Sequence, residues 1–150
     1  MKAYKLLILL LAIIIILSIG NSSFAEESSL ELLARLIEGE AEGESIYGKL
    51  AVGTVVMNRL ESSFFPDTIE EVIFQPYHFS VVWQKRWKKI KPTDQSIEAA
   101  KKVVEGYRSF WKNYLYYYNP ELAKNKEFIE SLNKDKIQEI GNHVFTKTHK

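Results

Sequence analysis

SLELLARLIEGEAEGESIYGKLAVGTVVMNRL, residues 29–60, holds two helix patterns around an acidic turn. Ser28-x-x-Glu31 is a capping-box pattern before an apolar run. Leu30, Leu33, Ala34 and Ile37 follow at i, i+3, i+4 and i+7, one face of an amphipathic helix. The spacing predicts a first helix over 29–40, with Gly39 as its stop. From Ser45 to Leu60 the chain is apolar almost all round, which predicts a buried helix capped by Ser45. Val52, Thr54, Val55 and Val56 are β-branched and would suit a strand, but the length of the run argues for a helix. Gly48 and Gly53 each cost about 1 kcal/mol of helix propensity against alanine. They make sense if another helix or a ligand approaches closely there. Between the two patterns, Glu38, Glu40, Glu42 and Glu44 alternate with Gly39, Ala41 and Gly43.

Working outward, ESSFFPDTIEEVIFQPYHFS (61–80) contains a turn at Pro66-Asp67 and a short helical turn from Thr68 to Phe74, ended by Pro76. In VVWQKRWKKIKP, five of the seven residues from Lys85 to Lys91 are basic, and Trp83 and Trp87 flank the start of the run. A helix is predicted over 96–107, capped by Asp94 or Ser96, with Ala99, Ala100, Val103, Val104 and Tyr107 on its apolar side. NYLYYYNPE (113–121) is a β-rich aromatic run closed by Asn119-Pro120. Across 121–140, Leu122, Phe128, Ile129, Leu132, Ile137 and Ile140 are spaced as on short helices. IGNHVF (140–145) reads as a last strand. There is no internal repeat and no linker. The expected class is α+β: one mostly helical domain with a small β element.

The first 25 residues read differently. Lys2 and Lys5 form a positive start, Leu6 to Leu17 an unbroken apolar stretch, and Ser23-Phe24-Ala25 an A-x-A-like cleavage pattern. That predicts a signal peptide over 1–25 and a domain over 26–150. The rival is an uncleaved anchor, but an apolar run of about 12 residues is short for a span of about 20. Only that rival would attach the chain to a membrane. Without Lys2 and Lys5 the basic residues number 18 against 19 acids, a formal net charge of −1. This excludes the basic footprint of a nucleic-acid binder. There are no cysteines. An exported domain without disulfides depends on its core, and 13% aromatic residues supply one.

A carboxyl that acts as a general acid near neutral pH needs a pKa raised from about 4.3 towards 6 or 7. Burial, neighbouring negative charge and the negative end of a helix dipole all push that way. The end of the first helix offers the three together. Glu40 is the best placed, with Gly39 leaving close backbone access on one side and Ala41 adding no bulk on the other. Acidic clusters at helix ends are usually hydrated surface, and spacing alone does not decide between the two. No calcium loop is present. His78, His143 and His149 show no metal-binding spacing, and there is no thiolate, so neither a metal nor a cofactor is expected.

Taken in order, Gly39-Glu40-Ala41, Gly43-Glu44, Ala51-Val52, Asn58-Arg59, Phe65-Pro66, Phe79-Ser80, Tyr116 to Pro120, and Ile140-Gly141 with His143 and Phe145 resemble the spore cortex-lytic cell-wall hydrolase family of the SleB/CwlJ type. The resemblance spans about residues 30–146. Each motif alone is weak, and the ordered set is specific. It implies a lysozyme-like domain that cleaves the glycan strand of peptidoglycan between N-acetylmuramic acid and N-acetylglucosamine, with the essential glutamate at Glu40. Glu42 departs from the family's usual arginine, His78 from a glutamine or small residue, and Phe128 from a tryptophan. The basic stretch 84–91 replaces a more neutral loop. Glu42 would raise the pKa of Glu40 further.

The resemblance carries over one carboxylate, where glycosidases usually pair two. One acid/base suffices if the nucleophile is the muramic C6 hydroxyl, as in a lytic transglycosylase. Glu44 is then either a second carboxylate or a structural cap near the second helix. Tyr116, Tyr117 and Tyr118 are candidates for stacking on sugar faces, with Tyr116 and Tyr118 on one side of a strand and Tyr117 on the other. Asn119 would bond an acetamido group or form the turn. Thr54 would bond its own helix or point at the cleft. Asn58-Arg59 anchors loops, and Phe79 and Ser80 line the substrate floor. The basic run with its tryptophans suits either an anionic wall or a solvated loop with both rings anchored. An accessory protein is a further partner for a chain without a separate wall-binding repeat. The alternatives are a hydrolytic muramidase and a non-catalytic wall-binding module.

Overall fold

In the computed structural model, which describes residues 29–123, 126–131 and 137–147, one buried helix organises the rest. Helix α1 covers 29–40, and α2 covers Ile46–Leu60. Every α2 residue from Gly48 to Arg59 is buried. Helix α3 (Ile69–Phe74) and two 3-10 turns (Ser80–Trp83 and Trp87–Lys89) follow, then α4 (Asp94–Val104), β1 (Tyr114–Tyr118), α5 (Lys126–Ser131), β2 (Ile137–Ile140) and β3 (His143–Lys147). The strands form an antiparallel sheet in the order β1-β3-β2. The signal-peptide segment and the Phe128 side chain lie outside the described residues, as do Leu132 and His149.

The core joins α1 (Leu33, Leu36, Ile37), α2 (Val52, Val55, Val56), α3 (Val72, Ile73), α4 (Ala99, Ala100, Val103) and the sheet through Phe145. Gly53 is where two helices converge on α2. A Cβ there would stand 3.0 Å from Ile37 Cδ1 and 3.1 Å from Val103 Cγ2, so the close approach expected at this glycine is a helix–helix contact. At Gly48 the close neighbour is the side chain of Glu44.

Several boundaries differ from expectation. Gly39 is not the stop of α1. The helix runs through residue 40, and the left-handed residue is Gly43 at φ +78°. Gly39 stays helical because Val81 and Ile90 pack where its Cβ would be, 2.8 and 2.9 Å away. Ser45 sits at the N-cap of α2 but makes no side-chain cap bond. Helix α4 starts at Asp94 and stops at Val104. Its cap is Thr93, whose Oγ1 accepts the Ser96 N–H at 3.4 Å. Ile137–Ile140 is a strand rather than part of a helix, because it pairs with β3. A four-residue run has no period long enough to declare itself. Trp87 is anchored between Phe74 and Arg35, whereas Trp83 is exposed.

Burial of α2 forces its polar residues to find partners. Lys49 Nζ donates to Glu38 Oε2 at 3.1 Å and to Ser96 Oγ at 2.9 Å. Thr93 Oγ1 and Ser96 Oγ each donate to the same carboxylate oxygen at 2.6 Å. This cluster ties the end of α1 to α2 and to the start of α4. Burial pushes the Glu38 carboxyl up, but bonds from Ser96, Thr93 and Lys49 outweigh it and hold the pKa at about 2. A folded pKa below the unfolded value stabilises the protein above the unfolded pKa, and that stability is lost as pH falls through the folded one. Urea unfolding should therefore show stability falling from about pH 4.5 towards 2, and Glu38→Gln should flatten that slope. At neutral pH, Glu38→Gln should cost about 2 kcal/mol, the scale of hydrogen bonds to a charged group.

Candidate active site

The end of α1, the first 3-10 turn, the β1 strand and the β2–β3 turn enclose a cleft of about 500 Å³. Glu40, Glu44, Ser80, Tyr117, Tyr118 and Asn119, all candidates from the sequence, line it. Glu40 is largely withdrawn from solvent. Its Oε1 accepts the Val81 N–H at 3.3 Å, and its Oε2 accepts the Tyr117 hydroxyl at 3.0 Å. Burial raises its pKa above the ordinary carboxyl value. The Val81 and Tyr117 bonds and the charges of Arg59 and Arg86 pull the other way without cancelling the rise. A carboxyl so placed holds a proton at higher pH than a solvated one and keeps an acceptor for returning it.

The other acids of the turn are engaged elsewhere. Glu42 is mostly exposed and bridged to Arg86, with Nη1 to Oε2 at 2.6 Å. Arg86 also donates to the Gly39 carbonyl at 3.2 Å. The cation therefore balances Glu42, and the expected like-charge push of Glu42 on Glu40 is offset. Glu44 Oε1 accepts the Asn142 N–H at 2.9 Å. It supports the β2–β3 turn rather than capping α2. Gly141 occupies the first central position of that turn at φ +60°, the place that type II′ hairpins give to glycine. A side chain there would run into the Glu44 carboxylate. His143 Nδ1 lies 3.6 Å from Glu44 Oε1, too far for a hydrogen bond. Burial pulls the His143 pKa down, against the pull of Glu44.

Three expected cleft residues do not line it. Thr54 donates to the Leu50 carbonyl at 2.8 Å and accepts the Ser109 N–H at 3.0 Å. It serves its own helix and pins the segment after α4. Phe79 is buried beneath Arg59, whose guanidinium lies 4.7 Å from the ring centre. Tyr116 packs against Phe65 and Arg59, and the strand alternation turns Tyr117 towards Glu40. Asn119 lines the cleft while its Oδ1 accepts the Glu121 N–H at 2.9 Å, so it also forms the turn.

Arg59 carries more than the loop-anchoring role read from the sequence. Its Nε donates to the Leu115 carbonyl at 2.8 Å, at the irregular step of β1. The guanidinium is buried among Phe65, Phe79 and Tyr116. Burial lowers its pKa to about 10, which leaves it cationic at neutral pH beside Glu40. A charged residue closing an apolar helix was the available signal. The Val81 N–H had none, because a main-chain donor leaves no mark on the sequence.

A domain with a small antiparallel sheet against a buried helix, and a protonatable carboxyl in an open cleft, defines an α+β enzyme-like class. The chain belongs to the Cell Wall Hydrolase family, whose model matches residues 43–146. Glu40 stands just before that span. Among solved structures, the chain is similar to the catalytic domain of the germination-specific lytic transglycosylase SleB from Bacillus anthracis. The two share 30% identity and a TM-score of 0.69, over 79% of this chain and 93% of that one. The Bacillus cereus SleB catalytic domain gives 32% and 0.70, over 81% and 91%. The spore cortex-lytic enzyme of Oceanobacillus iheyensis is 36% identical over 122 residues, 81% of this chain and 42% of that protein. The chain thus spans less than half the length of that relative. The cell wall hydrolase CwlJ of Bacillus subtilis is 33% identical over 65% of this chain and 71% of its own length. The lysozyme-like α+β expectation agrees with the two SleB neighbours.

Tyr117→Phe removes a donor that favours the charged form of Glu40. The Glu40 carboxyl, followed by carbon NMR, should titrate at higher pH in that variant than in the parent. Glu44→Ala should lower stability by about 1–2 kcal/mol in thermal unfolding, through loss of the bond to the hairpin turn.

Proposed function

We infer that the protein is an exported peptidoglycan-cleaving enzyme, a lytic transglycosylase in which Glu40 is the single general acid/base. The observation that carries this is the environment of Glu40: withdrawn from water, raised in pKa, and opening on a cleft in which Glu42 and Glu44 are already engaged. Similarity to the catalytic domain of the germination-specific lytic transglycosylase SleB supports the reaction class, and the spore cortex-lytic relatives support bacterial wall, including spore cortex, as substrate.

In this reading a glycan strand lies along the cleft with the muramic C1–O4 bond over Glu40. Protonated Glu40 gives its proton to O4 as the C1–O4 bond breaks. The Glu40 carboxylate then takes the proton from the muramic C6 hydroxyl as O6 bonds to C1. The products are a free 4-hydroxyl and a 1,6-anhydro end, and no water is consumed. The Tyr117 hydroxyl and the Val81 N–H hold the carboxylate between the two transfers. With the Val81 and Tyr117 bonds, the charge of Arg59 limits how far its pKa climbs, which favours giving the proton up as well as taking one. Tyr117 and Tyr118 offer ring surface to the sugars, and Ser80 and Asn119 offer polar contacts. No nucleic acid takes part. The segment 1–25 directs export, and the site of action is the cell envelope, with an accessory protein as a further partner.

Purified spore cortex and vegetative peptidoglycan, digested by the protein and by Glu40→Gln, provide the test. Mass spectrometry with and without borohydride reduction should show anhydro-muramic ends. Glu40→Gln should lower their rate of formation by about 100- to 10,000-fold, the range for a positioned acid/base. Reducible ends would make water the nucleophile. Binding without cleavage of either wall would make the protein a wall-binding module.

A further inference from the structure

The segment after α3 builds a second feature beside the cleft. Gln75, Pro76, Tyr77 and His78 form a tight turn, closed by the His78 N–H on the Gln75 carbonyl at 3.3 Å. Tyr77 has φ +68° and is the described non-glycine residue in the left-handed region. Proline then a positive-φ residue is the pattern of a type II turn, which favours glycine or asparagine at the position Tyr77 holds. A bulky side chain there is strained, and such strain concentrates at binding and active sites. Packing does not compensate it, because Tyr77 is 100% exposed. A few residues on, Trp83 ends the first 3-10 turn with 62% of its surface exposed.

These two rings share a cavity. Pro76, Tyr77, Ser80 and Trp83 line a hollow of about 560 Å³. Tyr77 and Ser80 also line the Glu40 cleft, so the hollow continues the cleft outward. Its walls are a proline ring and two aromatic side chains, with the Ser80 hydroxyl at the junction. That surface suits the C–H face of a pyranose ring, with one polar group to orient it.

We propose that Tyr77 and Trp83 form an outer sugar-binding platform that holds a pyranose of the same glycan strand beyond the residues in the Glu40 cleft. The platform makes the protein prefer long strands over short ones. This rests on the glycan-cleaving reading of the cleft. A strained turn is retained because it throws the Tyr77 ring out of the domain, where only a bound strand covers it.

The test uses a Glu40→Gln protein, which holds strands without turnover, and strands stripped of stem peptides. Affinities for a tetrasaccharide and a dodecasaccharide are measured by calorimetry. The dodecasaccharide should bind more tightly. Trp83→Ala and Tyr77→Gly should each weaken it by about tenfold, or about 1.4 kcal/mol, and together should bring the two affinities close to one another. Tyr77→Gly places the favoured residue in the turn, so it should unfold at the same temperature or higher, and a lost preference cannot be ascribed to misfolding.

If the preference for long strands survives both substitutions, or is absent from the parent, the platform is overturned while the glycan reading stands. If the preference appears only on strands that keep their stem peptides, the occupant is a peptide and the sugar platform is overturned. If the double variant loses binding to anionic phospholipid vesicles while dodecasaccharide binding is unchanged, the rings face lipid and the proposal falls. If the parent binds neither length, the glycan reading fails and the platform with it.

Discussion

Burial of α2 from Gly48 to Arg59 is the constraint on which the rest depends. A buried stretch of helix demands a partner for each polar side chain, and that of α2 carries Lys49, Thr54, Asn58 and Arg59. Together they reach the segments packed around the helix. Lys49 draws in the ends of α1 and α4 through Glu38 and Ser96. Thr54 receives the N–H of Ser109. Asn58 Nδ2 donates to the carbonyls of Trp111 and Tyr114 at 2.9 and 3.0 Å. Arg59 takes the carbonyl of Leu115. The desolvation cost of these groups is offset only when all the segments are docked. The helix therefore fixes where α1 ends and where β1 begins, and the cleft lies between those two points.

The same economy shapes the acidic turn. Four glutamates two residues apart would repel one another on a free peptide. The fold separates their tasks by giving each a different partner. Glu38 is driven to a low pKa by a lysine and two hydroxyls, Glu42 is bridged to Arg86, and Glu44 is placed under the hairpin turn. Glu40 is directed into the cleft, where burial outweighs its partners and its pKa rises. Residues of one chemical type, adjacent in sequence, thus end in opposite protonation regimes. The difference lies in dielectric environment and hydrogen-bond donors, not in the side chains.

Much of this was legible beforehand. The 3.6-residue period of 29–40 and the apolar length of 46–60 set the first two helices, and the tyrosine run set the first strand. The ordered motifs pointed to the family and to Glu40. Local chemistry misled where a neighbour outweighed it. Gly39 reads as a helix stop, but Val81 and Ile90 need its missing Cβ. Ser96 reads as a cap, but Glu38 and Lys49 claim its hydroxyl. Thr54, Phe79 and Tyr116 read as cleft residues, but the packing around Arg59 and the Thr54 bonds hold them below or beside it.

By itself the sequence determined periodicity, chain punctuation and the identity of the titratable groups, because these depend on residues a few positions apart. It determined that a carboxylate would stand at the end of the first helix. Only the tertiary structure decided which carboxylate is desolvated, that Tyr117 and the Val81 N–H meet it, and that Arg59 supplies the nearby charge. Those are contacts across 41 and 77 positions of chain for Val81 and Tyr117. Dielectric environment and hydrogen-bond geometry are properties of what surrounds a group in space, and they exist only once distant segments have packed.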